Sequence, residues 1–217
     1  MASPTTVTSG VSDPYAVAFD SADNLYVGNE NASTVTMYAA SSYTAAPVSV
    51  STSANPLSLL VAGNTLYVGE GSHIDVFALP LTNAASPTAT LSSGIHEPYG
   101  MTLDGAGNLY VANSDGGSNS SGSITEFTTP FTTGNSPAVT ISEPDCSIDH
   151  SCEPFSLGFA GGDLYVVNQS GGQSLGGVDE YATPISSSST PLVSINTSSF
   201  AEPYFSALTP AVFSVSL

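Results

Sequence analysis

The chain has 217 residues, of which 41% are hydrophobic and 8% charged, a composition typical of one folded domain. It contains no Lys or Arg and 18 Asp or Glu, so its formal net charge is −18 at pH 7. Because nucleic acids and anionic membranes are bound largely through basic side chains, this composition excludes both as partners. Cations, carbohydrates and other protein surfaces, including further copies of the chain, remain as classes of partner.

The missing basic residues also indicate where the protein works. Trypsin-like proteases cleave after Lys or Arg and find no site in this chain. After its carboxylates are protonated, the chain carries roughly four positive charges, so acid unfolding by mutual repulsion of cations is weak. We therefore predict an extracellular or cell-surface protein, secreted with a leader that this chain lacks. Composition drift in a Ser/Thr-rich lineage is the alternative.

A recurring sequence motif defines the organisation of the chain. Pro14, Pro56, Pro98, Pro154 and Pro203 stand 42, 42, 56 and 49 residues apart, each after Asp, Asn or Glu. The first four lead into a Leu-Tyr-Val segment, at Leu25, Leu66, Leu109 and Leu164. A period of this length built from short strands is typical of the blades of a β-propeller.

Each repeat predicts four antiparallel strands, named A to D. In the first repeat, strand A has Tyr15, Val17 and Phe19 on one face, and strand B is the Leu-Tyr-Val segment. Strands C and D follow at 34–38 and 48–50. No segment has a helical period. We predict an all-β propeller of about five blades, at approximately 11–53, 54–95, 96–152, 153–198, and 199–217 plus 1–10.

The last blade is predicted to be incomplete. The C-terminal residues supply only strands A and B, and residues 5–8 have the spacing of a strand D. We predict that this N-terminal strand closes the ring, which removes sheet edges. A gap left by the missing strand C would be an edge to which a neighbouring chain adds a strand. The alternative is that the chain is part of a longer propeller.

The segment from Pro98 to Asn113, with its Gly-Asn-Leu-Tyr-Val-Ala-Asn ending, resembles NHL-type repeats. It is also similar to gluconolactonase-like six-bladed propellers. The resemblance implies a propeller fold, in a group that includes enzymes, ligand binders and scaffolds. In gluconolactonase-like propellers, Glu, Asn and Asp residues around the channel hold a divalent cation, and Glu97, Glu153 and Asn113 are the residues that the resemblance points to here.

The topology of a blade predicts where such a site lies. The residue before each blade-opening Pro is expected at one mouth of the central channel, and these residues are Asp13, Asn55, Glu97, Glu153 and Glu202. The ends of the B strands add Asn29, Glu70, Asn113 and Asn168 further out. Hard oxygen ligands favour Ca²⁺ as the cofactor. The alternative is that these residues only start turns, with solvated side chains.

Other residues give local predictions. Cys146 and Cys152 are close enough in sequence for a local disulfide, although metal binding with His150 is the alternative. Candidate glycosylation sites are Asn31, Asn119, Asn168 and Asn196. His73 and His150 are interpreted as surface residues, whereas His96 lies beside Glu97 at the predicted channel mouth.

Three functions follow from these features. The first is a non-catalytic structural or interaction module that self-assembles through its incomplete blade. The second is a divalent-metal-dependent hydrolase of lactonase type, in which a carboxylate at the acidic channel mouth acts as general base. The third is a sugar- or peptide-binding module. The sequence has no Gly-x-Ser-x-Gly motif, and no residue is predicted to be catalytic, so the first function is favoured.

Overall fold

Alternating apolar residues separated by Asp, Asn and Gly turns produce an all-β chain. The computed structural model describes residues 6–114, 122–142, 151–171 and 177–196. These residues contain sixteen strands in four four-stranded antiparallel sheets and no helix, which confirms the predicted propeller-type repeat. The described part of the chain therefore has no helix long and apolar enough to cross a membrane.

The strands follow the predicted A-B-C-D order in every sheet, and we keep the name blade for each sheet. Blade 1 contains β1 (Pro14–Phe19), β2 (Leu25–Asn29), β3 (Thr34–Tyr38) and β4 (Val48–Ser51); blade 2 contains β5 (Pro56–Ala62), β6 (Thr65–Glu70), β7 (His73–Ala78) and β8 (Ala89–Leu91). Blade 3 contains β9 (Pro98–Leu103), β10 (Leu109–Asn113), β11 (Ser123–Phe127) and β12 (Val139–Ser142); blade 4 contains β13 (Ser151–Ala160), β14 (Asp163–Gly171), β15 (Gly177–Tyr181) and β16 (Val193–Asn196).

The register between strands A and B places two sequence features together. Each blade-opening Pro pairs with a polar residue near the end of strand B; the pairs are Pro14–Asn29, Pro56–Glu70, Pro98–Asn113 and Pro154–Asn168. The start of A and the end of B therefore lie at the same end of each blade, as predicted. A register shift next to each of these pairs introduces a β-bulge, which the repeat pattern does not predict.

The opposite end of the blade is fixed by the A–B turn. In blade 1, Asp20 Oδ1 accepts hydrogen bonds from the backbone N–H groups of Ala22 and Asn24, both at 2.9 Å. The Asn24 amide also donates to Asp20 Oδ2 at 2.8 Å. Asp104 makes the corresponding bonds in blade 3. Asp and Asn therefore stand in these turns because their side chains satisfy the backbone of the turn.

By its contacts the chain divides into two compact units, Met1–Thr90 and Leu91–Leu217. The core of the first unit lies between blades 1 and 2. Its buried residues are Tyr26, Val35 and Val50 from blade 1, Leu66, Val68 and Phe77 from blade 2, and Leu81, which follows β7. Blade 1 thus buries one face against blade 2, and this apolar contact contributes to the stability of the first unit.

The second unit repeats this arrangement between blades 3 and 4. Its core consists of Tyr110, Ala112, Ile124, Ile141, Leu157, Leu164, Val166, Tyr181 and Ile185. The ring of Phe159 meets Tyr110 edge-on, with 5.0 Å between ring centroids. The tyrosines of the B strands are buried at Tyr26, Tyr67 and Tyr110, whereas Tyr165 in blade 4 is partly buried.

The predicted fifth blade lies largely outside the described residues, because 1–5 and 197–217 are not among them. Within the described part, residues 6–8 are not in a strand. Closure of the ring by the N-terminal segment therefore stays a prediction.

Candidate functional site

A buried polar residue near the end of strand B is common to all four blades. These residues are Asn29, Glu70, Asn113 and Asn168. In the sheet register each stands opposite the first residue of strand C, across the B–C connection. Since side chains two residues apart share a face of a strand, it also lies near the third residue of strand C. We call this three-residue group the B–C cluster of a blade.

In blade 1 the B–C cluster is a set of complementary hydrogen bonds. The Asn29 amide nitrogen donates to the hydroxyls of Thr34 at 3.2 Å and Thr36 at 2.9 Å. Its carbonyl oxygen accepts from the backbone N–H of Ser12 at 2.9 Å. The amide thus joins strand C to the segment that enters strand A, which is a structural role.

Blade 3 has the same arrangement with different residues. Asn113 donates to the hydroxyls of Ser123 at 3.3 Å and Thr125 at 3.2 Å, and accepts from the backbone N–H of His96 at 3.1 Å. Asn113 was predicted as a metal ligand at the channel mouth. In this structure its oxygen and nitrogen are both engaged in holding the blade together.

Blade 2 departs from this pattern at all three positions. Its B–C cluster consists of Glu70, His73 and Asp75, whose candidate ligand atoms all lie within 4.8 Å of one another. His73 Nε2 is 3.1 Å from Glu70 Oε2 and 4.0 Å from Asp75 Oδ2. Among the described residues, this is the group of His, Cys, Asp and Glu side chains arranged closely enough to hold a metal ion.

The two oxygens of Glu70 have different surroundings. Oε2 accepts hydrogen bonds from the backbone N–H of Ala54 at 2.6 Å and from the hydroxyl of Ser53 at 3.0 Å, and it also faces His73. Oε1 is buried and has no hydrogen-bond partner. Leaving a buried carboxylate oxygen unsatisfied costs on the order of 1–3 kcal/mol or more, so a physical reason is needed for this atom.

The electrostatics of the cluster reflect two acidic groups that share a buried space. Burial raises the pKa of Asp75, the hydrogen bond from Thr90 opposes this shift, and the neighbouring Glu70 carboxylate adds to it. The hydrogen bond with Glu70 raises the pKa of His73, against the opposing effect of burial. The cluster therefore attracts a positive charge, which His73 supplies in part.

His73 was interpreted from sequence as a surface residue, and this interpretation is wrong. Its side chain is only 14% exposed, because it begins β7 and points towards Glu70 rather than forming the tip of a turn. The signal available in the sequence was the Glu-Gly-Ser-His-Ile-Asp segment. A two-residue connection and a period of two place Glu70, His73 and Asp75 on one face.

The residues predicted at the channel mouth are described blade by blade. Asp13 and Glu97 are exposed and have positive φ values of 52° and 47°, a left-handed backbone that is strained for residues with a side chain. Asn55 is also exposed and accepts a hydrogen bond from Ser33 at 3.1 Å. Glu153 is partly buried, and Glu202 lies outside the described residues. A Ca²⁺ site formed by these residues stays a prediction.

The remaining predicted residues lie partly beyond the described chain. Cys146, Asn119 and the side chains of Cys152 and Asn196 are not among the described residues. Asn31 lies in an exposed turn. Asn168 is buried and donates to Asp179 Oδ2 at 2.6 Å, so its amide nitrogen is not accessible to a glycosyl donor in the folded chain.

A cleft of about 380 Å³ lies at the other end of the blades in the second unit. Its lining includes Asp104, Tyr110, Glu126, Phe159 and Thr183. Burial raises the pKa of Glu126; the hydrogen bond from Tyr110 opposes the shift, and the charge of Asp104 adds to it. The cleft therefore holds a carboxyl group that is destabilised in its charged form.

We expect Glu126→Gln to raise the melting temperature at pH 7 by about 2–4 °C, equivalent to roughly 1 kcal/mol. A folded pKa above the unfolded value means that this group's contribution to stability is complete at low pH. It is lost as the pH rises through the folded pKa, so the variant and the parent should agree at pH 4. Melting curves at pH 4 and 7 test this, with Glu180→Gln in blade 4, where the carboxylate is more exposed, as the control. A gain of equal size at both pH values would contradict the assignment.

Comparison with known proteins identifies the fold. No family model matches the chain, and no curated protein matches it in sequence. Hydrazine synthase from Kuenenia stuttgartiensis is similar in structure, with a TM-score of 0.66 and 16% identity over 91% of this chain and 53% of that chain. The computationally designed Ika4 protein matches with a TM-score of 0.55 and 14% identity over 82% of this chain and 95% of that chain.

A catalytically inactive variant of virginiamycin B lyase from Staphylococcus aureus is also similar, with a TM-score of 0.54 and 13% identity over 81% of this chain and 57% of that chain. The chain thus spans little more than half the length of either enzyme chain. At these identities the similarity reports the fold alone. The comparisons therefore support a β-propeller, whereas the narrower NHL-type assignment stays a prediction.

Proposed function

We propose that the chain is a non-catalytic, extracellular β-propeller module that associates with further copies of itself through exposed blade faces. The observation that carries the proposal is the exposure of Val17 and Phe19 on β1, at 62% and 56%. Large apolar side chains grouped on one strand are typical of a surface that becomes covered by a partner.

The same positions in blades 2 and 4 have a partner within the chain. Leu59 and Val61 of β5 pack into the core between blades 1 and 2. Leu157 and Phe159 of β13 pack into the core between blades 3 and 4. We call this the rear face of a blade, since it faces the preceding blade. The rear face of β1 has the same kind of apolar residues, yet Val17 and Phe19 stay largely exposed.

The opposite side of such a packed interface between blades is exposed on blade 4. Val193 and Ile195 of β16 are both 48% exposed. The residues that correspond to Ile195 are Val50 in blade 1 and Ile141 in blade 3, which are 3% and 2% exposed because the next blade covers them. We call this side the front face of a blade.

We propose a second copy of the chain as the occupant of both faces, instead of the fifth blade predicted from residues 199–217 and 1–10. The front face of blade 4 in one copy and the rear face of blade 1 in another have the residue types of the joints between blades 1 and 2 and between blades 3 and 4. Such a head-to-tail contact is heterologous and generates closed rings or open chains of copies. The charge of −18 on each copy opposes association, so acidic pH or added salt should strengthen it.

The extracellular part of the proposal rests on composition. A chain without Lys or Arg offers no site to trypsin-like proteases and accumulates little positive charge in acid. The structural neighbours include both enzymes and designed proteins, so the fold itself does not favour catalysis.

The test introduces a charged residue into the rear face of blade 1 in one variant and into the front face of blade 4 in another. Val17→Asp and Ile195→Asp should each give monomers in sedimentation velocity at a concentration at which the parent associates, because every joint needs one intact face of each kind. Ser187→Asp places the same charge in the exposed segment before β16 and is the matched control, which should associate like the parent.

Mixing the two monomeric variants distinguishes a head-to-tail contact from other modes. In the mixture, Val17→Asp supplies an intact front face and Ile195→Asp supplies an intact rear face. The two variants should therefore form heterodimers and nothing larger. A monomeric parent protein, persistent association of Val17→Asp, or a mixture that stays monomeric would each overturn the proposal.

A further inference from the structure

The B–C cluster of blade 2 differs from its three counterparts in chemistry as well as in sequence. In blades 1, 3 and 4 an Asn amide N–H points at oxygens of strand C: the hydroxyls of blades 1 and 3, and the carboxylate of Asp179 in blade 4. Each of these contacts pairs a donor with an acceptor. In blade 2 the carboxylate of Glu70 replaces the amide, and the carboxylate of Asp75 replaces a hydroxyl.

This replacement places two hydrogen-bond acceptors, the carboxylates of Glu70 and Asp75, next to each other in a buried position. Glu70 is 0% exposed and Asp75 is 6% exposed, and burial with the Glu70 charge raises the pKa of Asp75. The amide N–H that the other three blades have at this position is missing, and the donor that faces Glu70 is His73 instead. A positively charged species, either a proton or a metal ion, is favoured beside this pair, because two buried like charges are strongly disfavoured.

We infer that Glu70, His73 and Asp75 bind one divalent transition-metal ion, of which Zn²⁺ is the best match. The three side chains supply two carboxylate oxygens and one imidazole nitrogen, a ligand set that Zn²⁺ accepts with a further position for water. Imidazole favours Zn²⁺ and its neighbours over Ca²⁺ or Mg²⁺. This site is separate from the predicted Ca²⁺ site at the channel mouth and from the blade faces that mediate association.

The distances are compatible with such an ion. In a tetrahedral site with bonds of about 2.0–2.1 Å, the ligand atoms stand roughly 3.3 Å apart. His73 Nε2 lies 3.1 Å from Glu70 Oε2 and 4.0 Å from Asp75 Oδ2. His73 Nε2 also contacts Ser53 Oγ at 2.7 Å, and a bound metal would replace that contact.

The second and independent observation is the buried oxygen Glu70 Oε1. It belongs to a side chain that is 0% exposed, and it has no hydrogen-bond partner. Its companion Oε2 is held by Ser53 and Ala54, which fixes the orientation of the carboxylate. Asp75 is fixed in the same way by the hydroxyl of Thr90 at 2.6 Å. The orientation of Glu70 is thus set by its neighbours, and a cation that meets Oε2 would also compensate the unsatisfied Oε1 of the same carboxylate.

Isothermal titration calorimetry of the full chain with Zn²⁺, at pH 7 with excess Mg²⁺, tests the site. The Mg²⁺ occupies scattered carboxylates on a protein of charge −18, so that only a site with imidazole competes for Zn²⁺. We expect one Zn²⁺ per chain and a melting temperature that rises by several degrees. Co²⁺ should bind at the same place and give the visible absorption of a four-coordinate complex.

Two kinds of variant separate this site from Zn²⁺ binding elsewhere on the chain. Glu70→Gln and His73→Gln should weaken Zn²⁺ binding at least about tenfold, whereas His96→Gln and the pair Glu97→Gln with Glu153→Gln should leave it unchanged. Glu70→Asn combined with Asp75→Thr gives blade 2 the residues that blades 1 and 3 have at these positions. This double variant should fold, be at least as stable as the metal-free parent, and show no response to Zn²⁺.

Absence of Zn²⁺ binding by the parent would overturn the inference and would indicate that a proton shared between Glu70 and Asp75 is the positive species. Retention of one tight Zn²⁺ by the Glu70→Asn/Asp75→Thr variant would overturn it as well, because the ion would then lie elsewhere. The variant's ability to fold is checked by its circular dichroism and melting curve, so loss of binding cannot be confused with loss of structure.

Discussion

Gly100→Ala is expected to destabilise the protein by about 1–3 kcal/mol, the range for forcing extra volume into a packed interior. A Cβ atom at this position would stand 2.8 Å from the carbonyl oxygen of Phe155 and 2.9 Å from Ser156 Cα. Both neighbours are backbone atoms of β13, so they cannot move away as a flexible side chain would. Strand β9 approaches β13 this closely only because residue 100 has no side chain.

The measurement is a urea or thermal unfolding curve with two matched controls. At Gly28 in blade 1 a Cβ would meet the Pro56 side chain at 3.1 Å, so Gly28→Ala should have a smaller cost. Gly105 has nothing within 4 Å of the added atom, so Gly105→Ala should change stability little. We expect the order of destabilisation to be Gly100, then Gly28, then Gly105. Equal stability of the Gly100 and Gly105 variants would show that blades 3 and 4 do not pack as described.

Asn113→Ala is expected to cost about 2–3 kcal/mol, or about 4–12 °C in melting temperature for a chain of this size. The substitution removes an amide that donates to Ser123 and Thr125 and accepts from the backbone N–H of His96. Because Asn113 is fully buried, water cannot reach these groups easily, and they are left without partners.

Asn31→Ala is the control for this prediction, since Asn31 lies in an exposed turn and its loss should change stability by less than about 0.5 kcal/mol. Asn29→Ala, the corresponding change in blade 1, should resemble Asn113→Ala. If Asn113→Ala unfolded at the same temperature as the parent but had lost a bound cation, the predicted ligand role of Asn113 would replace the structural one.

The fold was largely predictable because one repeat constrains every blade. The recurrence of Pro, an alternating strand, an Asp/Asn/Gly turn and Leu-Tyr-Val placed strands A and B, and the structure has strands at these positions in blades 1 to 4. The bulge beside each Pro was not predictable in this way. It depends on which residue of strand A is left unpaired in the register, and spacing along the chain does not carry that information.

The candidate site was only half predictable. Glu70 is among the residues predicted at the ends of the B strands, but the repeat pattern treats it as equivalent to Asn29, Asn113 and Asn168. His73 was assigned to a turn because the connection between β6 and β7 is only two residues long, and strand boundaries are least certain there. The partners of Glu70 Oε2, in Ser53 and Ala54, come from the preceding loop and are visible only after folding.

Self-association is tested by the absolute mass of the parent protein in solution, measured by light scattering over a range of concentration at pH 5 and pH 7. We predict masses above the 21.9 kDa of one chain that increase with concentration, and stronger association at pH 5, where repulsion between carboxylates is reduced. A mass of 21.9 kDa at every concentration and at both pH values would contradict self-association. The exposed faces of blades 1 and 4 would then be covered by something other than a second copy.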